Sequence, residues 1–146
     1  MHRNILVAVD GSKISDLALR EAIDLAKDLH GTLHIVHVVD EVIFNWDGEF
    51  GGIFEVLESF RGAGQRVLEQ AQIQARNAGL EAEGKLLEIQ TVGHRIADLI
   101  VEEAKNWPAD LIVLGSHGRR GLHDLLLGSV ADGVMRSATV PVLLVR

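Results

Sequence analysis

Ile5-Leu6-Val7-Ala8-Val9 is an apolar run with no polar interruption, and Leu111-Ile112-Val113-Leu114 is a second. Runs of this kind suit strands buried on both faces of a parallel sheet. Leu33 to Val39 is a third, broken by His34 and His37, and Val140 to Val145 closes the chain as a fourth. Glu81 to Gln90 is a weaker strand whose charges place it near an edge. Between these runs the apolar period changes from a strand's to a helix's. Ile14, Leu17, Ala18, Ala22, Leu25, Ala26 and Leu29 predict a helix from Lys13 to His30, capped by Ser12 and ended by Gly31. Val56, Phe60, Ala63, Val67, Ala71 and Ala78 predict the inner face of a helix from Glu55 to Ala78. Ile96, Leu99, Ile100, Ala104 and Trp107 do the same for His94 to Asn106, stopped by Pro108, and Ser129 to Ala138 is the last helix. Five strands therefore alternate with four helices. The expected fold is α/β, a doubly wound, Rossmann-like parallel sheet of five strands in the order 3-2-1-4-5, with helices on both faces. That order puts the first and fourth strands side by side at the switch point, where ligands bind in such sheets. Asp10 and Gly115 then stand together.

The connection after the fourth strand carries the chemistry. It runs Gly115-Ser-His-Gly-Arg-Arg-Gly-Leu-His-Asp-Leu-Leu-Leu-Gly-Ser-Val-Ala131. Read singly, each glycine makes a turn and Ser129 caps a helix, with Asp132 three residues on. Read as a set after an inner strand, Gly115, Gly118 and Gly128 let backbone N–H groups approach an anion, and a helix N-terminus follows. His117, Arg119, Arg120 and His123 add positive or protonatable groups. The spacing Gly-x2-Gly-x9-Gly-Ser is neither a Walker A loop nor Gly-x-Gly-x-x-Gly. Asp10 either accepts hydrogen bonds from ribose hydroxyls or serves only as the first residue of an Asp-Gly turn, and the residues leave both open. His34 and His37, three apart on a strand, face opposite ways and make no metal pair.

This spacing resembles the nucleotide-binding signature of the universal stress protein family, in its ATP-binding branch. Val9-Asp10-Gly11-Ser12, His37-Val38-Val39-Asp40 and the terminal Val140-Pro141-Val142-Leu143-Leu144-Val145 extend the resemblance along the whole chain. The resemblance implies that the aspartate contacts the nucleoside, that backbone at Val38 holds the adenine, and that the glycine loop wraps the phosphates. Carried over by position, the binding set is Ala8, Val9, Asp10, Val38, Leu114, Gly115, His117, Gly118, Arg119, Gly128, Ser129 and Val130. It further implies ATP or another adenine nucleotide as ligand, with Mg²⁺, and a homodimer through the last strand, Val140 to Val145. The sequence departs from the family at the aromatic segment Phe44 to Phe54 and at Thr91-Val92-Gly93-His94. The aromatic segment holds Phe44, Trp46, Phe50 and Phe54 among glycines, and suits either a cover for a ligand or partner, or a cover for the sheet edge.

Composition narrows the alternatives. A chain of 146 residues suits one domain spanning 1–146. The net charge of −7 argues against nucleic acid as a general partner. There is no cysteine, hence no disulfide framework and no thiolate chemistry. Nothing approaches a membrane span. Met1 to Asn4 run straight into a strand, so a cytoplasmic, leaderless protein is expected. No Ser-His-Asp or Cys-His arrangement and no metal-ligand spacing is evident, so no catalytic residue and no protein metal site is assigned. Asp40, Asp124 and Asp132 are candidate Mg²⁺ carboxylates. The resemblance implies a nucleotide-dependent regulatory or stress-response switch. Two alternatives stay open: a slow ATPase or phosphotransferase on the same site, and a dimeric interaction module that binds no nucleotide.

Overall fold

Strands without polar interruption need apolar cover on both faces, and the fold supplies it. In the computed structural model, which describes residues 3–40, 53–117 and 127–146, the elements are β1 (Asn4–Ala8), α1 (Lys13–Asp28), β2 (Thr32–Asp40), α2 (Ile53–Asn77), β3 (Ala82–Ile89), α3 (Ile96–Asn106), β4 (Leu111–Gly115), α4 (Ser129–Ser137) and β5 (Val142–Val145). The aromatic segment up to Gly52 and the residues from Gly118 to Leu126 lie outside the description, as do the side chains of residues 40 and 53–57, Val56 among them. The sheet is parallel throughout, in the order β3-β2-β1-β4-β5. This is the doubly wound, Rossmann-like arrangement that the alternation predicts. On one face Ile5, Val7, Leu33, Ile35 and Val113 pack with Ala18, Leu19 and Ala22 of α1 and Leu68, Ala71 and Ala75 of α2. On the other, Leu6, Val36, Ile112 and Leu114 pack with Ile100 and Ala104 of α3 and Val134 of α4. The central strand thus alternates its side chains between two cores.

Three local expectations are corrected. Along α2 and at its end, Val67, Ala71 and Ala78 do face the core and Gly64, Leu68 and Ala75 join them, while Phe60 and Ala63 are exposed. Gly64 sets that face, because its bare Cα lies against Val39, His37 and Leu86. Gly31 does not end α1. His30 takes the left-handed conformation at φ 52°, and the N–H groups of His30 and Gly31 return to the carbonyls of Lys27 and Ala26. That is a Schellman closure with the special residue one position early. Gly31 instead lies so close to the carbonyl of Arg3 that a Cβ would collide with it. Finally, the closing strand is not buried on both faces. It begins at Val142, pairs only with β4, and exposes Leu143. Pro141 stands just before it, its carbonyl accepting the Ile112 N–H at 3.0 Å.

Candidate functional site

The site is built where β1 and β4 run side by side, paired from Ile5–Leu111 to Val7–Val113. β1 ends in a turn. The Asp10 carboxylate Oδ1 accepts the Ser12 N–H at 2.9 Å, so the turn role that Asp-Gly allows is present in the structure. Gly11, at φ 83°, provides the left-handed step in that turn. Ser12 caps α1 by accepting the Ser15 N–H at 3.2 Å, and the Ser15 hydroxyl accepts the Asp10 N–H at 2.9 Å. Ser15 is a supporting residue that the sequence reading did not single out. Its signal was the spacing of two serines around a helix start.

β4 arrives against the same turn. A Cβ on Gly115 would meet the side chain of Ile14, so glycine is needed for this approach. Leu114 is buried below it. The chain then folds back. Ser116 donates its N–H to the Val145 carbonyl at 2.8 Å, and its carbonyl accepts the Gly128 N–H at 2.8 Å. That second bond closes the loop, holding Gly128 beside the end of β4 across the intervening residues. The Ser116 hydroxyl meets His117 Nδ1 at 2.8 Å. Gly128, not Ser129, is the N-cap of α4, and Ser129 is the first helical residue. The reason is the Ser116–Gly128 bond, which anchors the extended residue one position earlier than the serine. The helix ladder begins with the Asp132 N–H on the Gly128 carbonyl at 2.9 Å. The N–H groups of Ser129, Val130 and Ala131 therefore lie outside that ladder, at the positive end of the helix.

The structure thus brings Ala8, Val9 and Asp10, at and just beyond the end of β1, to Leu114, Gly115 and His117 of the β4 end and to Gly128, Ser129 and Val130 of α4. Val38 lies on the neighbouring β2, opposite Leu87 of β3. Gly118 and Arg119, and with them Arg120, His123 and Asp124, lie outside the described residues. Asp132 pairs with Arg136 on its own helix at 2.9 Å. Among the described residues no group of three or more His, Asp or Glu side chains could hold a metal ion. Two hollows lined by described residues lie elsewhere. One of about 440 Å³ lies between β3 and α3, beside Lys85, Thr91 and Glu102. The other, about 210 Å³, lies at the N-terminal ends of β4 and β5, beside Pro108, Ile112 and Val140. Among the described residues no helix is long and apolar enough to cross a membrane.

The profile of the universal stress protein family matches residues 1–146 of this chain. Universal stress protein YxiE of Bacillus subtilis is 35% identical over 153 residues, with all of both chains covered. Universal stress protein MJ0531 of Methanocaldococcus jannaschii is 34% identical over 146 residues, covering 100% of this chain and 83% of that one. Among solved structures, the universal stress protein UspA of Lactobacillus plantarum superposes with a TM-score of 0.85 at 25% identity, covering 99% and 98% of the two chains. The universal stress protein of Archaeoglobus fulgidus in complex with dAMP superposes with a TM-score of 0.69 at 28% identity over the whole of both chains. A universal stress protein in complex with cAMP gives a TM-score of 0.69 at 26% identity, covering 99% and 97%.

Proposed function

This chain belongs to the universal stress protein family, and from that premise we propose that it is a nucleotide-dependent regulatory protein binding ATP, or another adenine nucleotide, at the β1–β4 switch point. The observation that carries the reading is the closed return of the chain from Ser116 to Gly128, which sets the N-terminus of α4 at the end of β4, the strand paired with β1. Relatives of this fold that hold dAMP and cAMP support the adenine part of the ligand.

In this reading Asp10 meets the ribose, backbone at Val38 meets the base, and Ala8, Val9 and Leu114 line the floor between them. Gly115, His117, Gly118, Arg119, Gly128, Ser129 and Val130 surround the phosphates. N–H groups at a helix start neutralise an anion without a specific side chain. In this reading Mg²⁺ comes with the nucleotide; of the candidate carboxylates the Asp132 side chain is the one described, and it pairs with Arg136. The reading includes a homodimer built on β5, which is an edge strand with one exposed apolar side chain, Leu143. The net charge of −7 argues against nucleic acid as a general partner.

Calorimetry with ATP and MgCl₂ tests the assignment. The wild-type chain binds, and Gly118→Val loses more than about tenfold in affinity, about 1.4 kcal/mol, because a β-branched side chain fills a phosphate approach. A wild-type chain that binds no adenine nucleotide, or a Gly118→Val variant of equal affinity, overturns it.

A further inference from the structure

The last register pair of β1 and β2 is Ala8–Val36. Beyond it the Val9 N–H still reaches the Val36 carbonyl at 2.9 Å. The Val9 carbonyl, however, is met by a side chain, His37 Nδ1, at 2.7 Å. A carbonyl only accepts, so Nδ1 carries the hydrogen and donates it. The imidazole takes a strand-pairing bond at the point where β1 leaves the sheet for the Asp10 turn.

Space for the ring is built in. His37 points to the α2 face, where Gly64 of α2 is buried. A Cβ on Gly64 would stand 3.0 Å from the ring carbon Cδ2 of His37. His37 pairs across to Leu86 of β3, so its own backbone is held by the sheet. The ring is thus fixed at its root by β2, bounded by α2, and bonded through Nδ1 to the residue immediately before Asp10.

We propose that His37 is a positioning residue for the nucleoside half of the site. Resting on the nucleotide reading above, it locks Val9, and through it Asp10, at a set distance from Val38. It touches no nucleotide atom in this account. Its loss lets the β1 end drift from the β2 end, and the pre-organised spacing that binding uses is lost. Because the tie lies on the nucleoside side, adenosine, AMP and ATP all suffer by the same factor.

Four proteins test this: wild type, His37→Asn, His37→Gln and His37→Leu. An asparagine amide reaches close to the Nδ1 position, whereas glutamine places its amide further out. Affinities for adenosine, AMP and ATP are measured by calorimetry, and the ring tautomer of His37 in the nucleotide-free wild type by carbon and nitrogen NMR shifts. The expected result is an Nδ1–H ring, wild-type-like binding in His37→Asn, and about fivefold weaker binding of all three ligands in His37→Leu and His37→Gln, the fold-change that one ordinary hydrogen bond carries. A wild type that binds while His37→Leu binds equally well overturns the positioning role and leaves the nucleotide reading standing. A ring protonated only at Nε2 overturns it without any variant. A loss confined to ATP also overturns it, and a wild type that binds none of the three overturns the nucleotide reading itself.

Discussion

His34 Nε2 lies 2.8 Å from Oε2 of Glu103, with the two side chains only 5% and 6% exposed. The pair joins β2 to α3 under the sheet. Lys85 Nζ reaches the other carboxylate oxygen at 3.2 Å, and the indole of Trp107 stacks on the imidazole at 4.8 Å between ring centres. The second ring nitrogen, Nδ1, is buried without a hydrogen bond, and the Glu83 carboxylate is 3.6 Å away. His37, three residues on, faces the other core, as strand alternation requires.

Removing the imidazole leaves the buried Glu103 carboxylate to Lys85 and opens a cavity beside Trp107. His34→Ala is expected to cost about 2–4 kcal/mol in urea unfolding, from the lost buried hydrogen bond and the cavity. The double variant His34→Phe with Glu103→Leu is expected to recover most of that, because it removes both polar groups and keeps the volume. A double variant as unstable as His34→Ala contradicts the account, and a double-mutant cycle gives the coupling directly.

Asp98 gives the chain an acid-sensitive helix start. Its carboxylate accepts the Arg95 backbone N–H at 2.9 Å, which holds its pKa below the usual carboxylate range, with the Arg95 and His94 charges assisting. A folded pKa below the unfolded one stabilises above the unfolded value and is lost as pH falls through the folded one. The protection of the Arg95 amide, its exchange relative to the intrinsic rate at each pH, should therefore hold at about pH 6 and fall as the pH drops below the ordinary carboxyl value of about 4 towards the lowered folded one. Asp98→Asn should flatten that acid response while leaving exchange in β4 unchanged.

The end of α1 separates two uses of glycine. Gly31→Ala drives a Cβ into the Arg3 carbonyl, which is itself held by the Thr32 N–H at 2.6 Å, so the backbone must shift. A cost of about 1–3 kcal/mol is expected, as for other overpacked sites. His30→Gly is expected to do the reverse and stabilise by about 1 kcal/mol, since His30 now holds the left-handed position at φ 52°. Thermal unfolding of the two variants with opposite signs supports the assignment, and a harmless Gly31→Ala refutes it.

Leu143 tests the proposed dimer. Leu143→Lys places a charge on the β5 edge and should give monomers while nucleotide affinity is retained; Val145→Lys should do the same at some cost in stability, since Val145 also packs on the core. Light scattering at tens of micromolar reads the outcome. A wild-type monomer, or a dimer surviving both changes, excludes assembly through this strand.

The two Schellman closures show how far local signals reach. At the end of α2, Gly79 takes φ 88° and the Leu80 N–H returns to the Ala75 carbonyl, where the sequence places the stop. At the end of α1 the same motif uses His30, because Gly31 is taken by a contact with Arg3, a residue distant in sequence. The N-cap of α4 moved for a similar reason, through the bond from Gly128 to Ser116.

What the sequence by itself determined is the alternation of elements and the strand order. Uninterrupted apolar runs need two covered faces, and short connections with right-handed crossovers leave few ways to supply them. It also determined that Asp10 and the Gly115 loop share one end of the sheet. What only the tertiary structure decided is everything set by contact across the sheet: the α2 face chosen by Gly64 against His37 and Leu86, the burial of the His34–Glu103 pair, and the His37 tie on the Val9 carbonyl. Periodicity reports which side of an element is apolar. Which residue comes within 3 Å of which is a property of packed volumes, and those exist only once the elements have met.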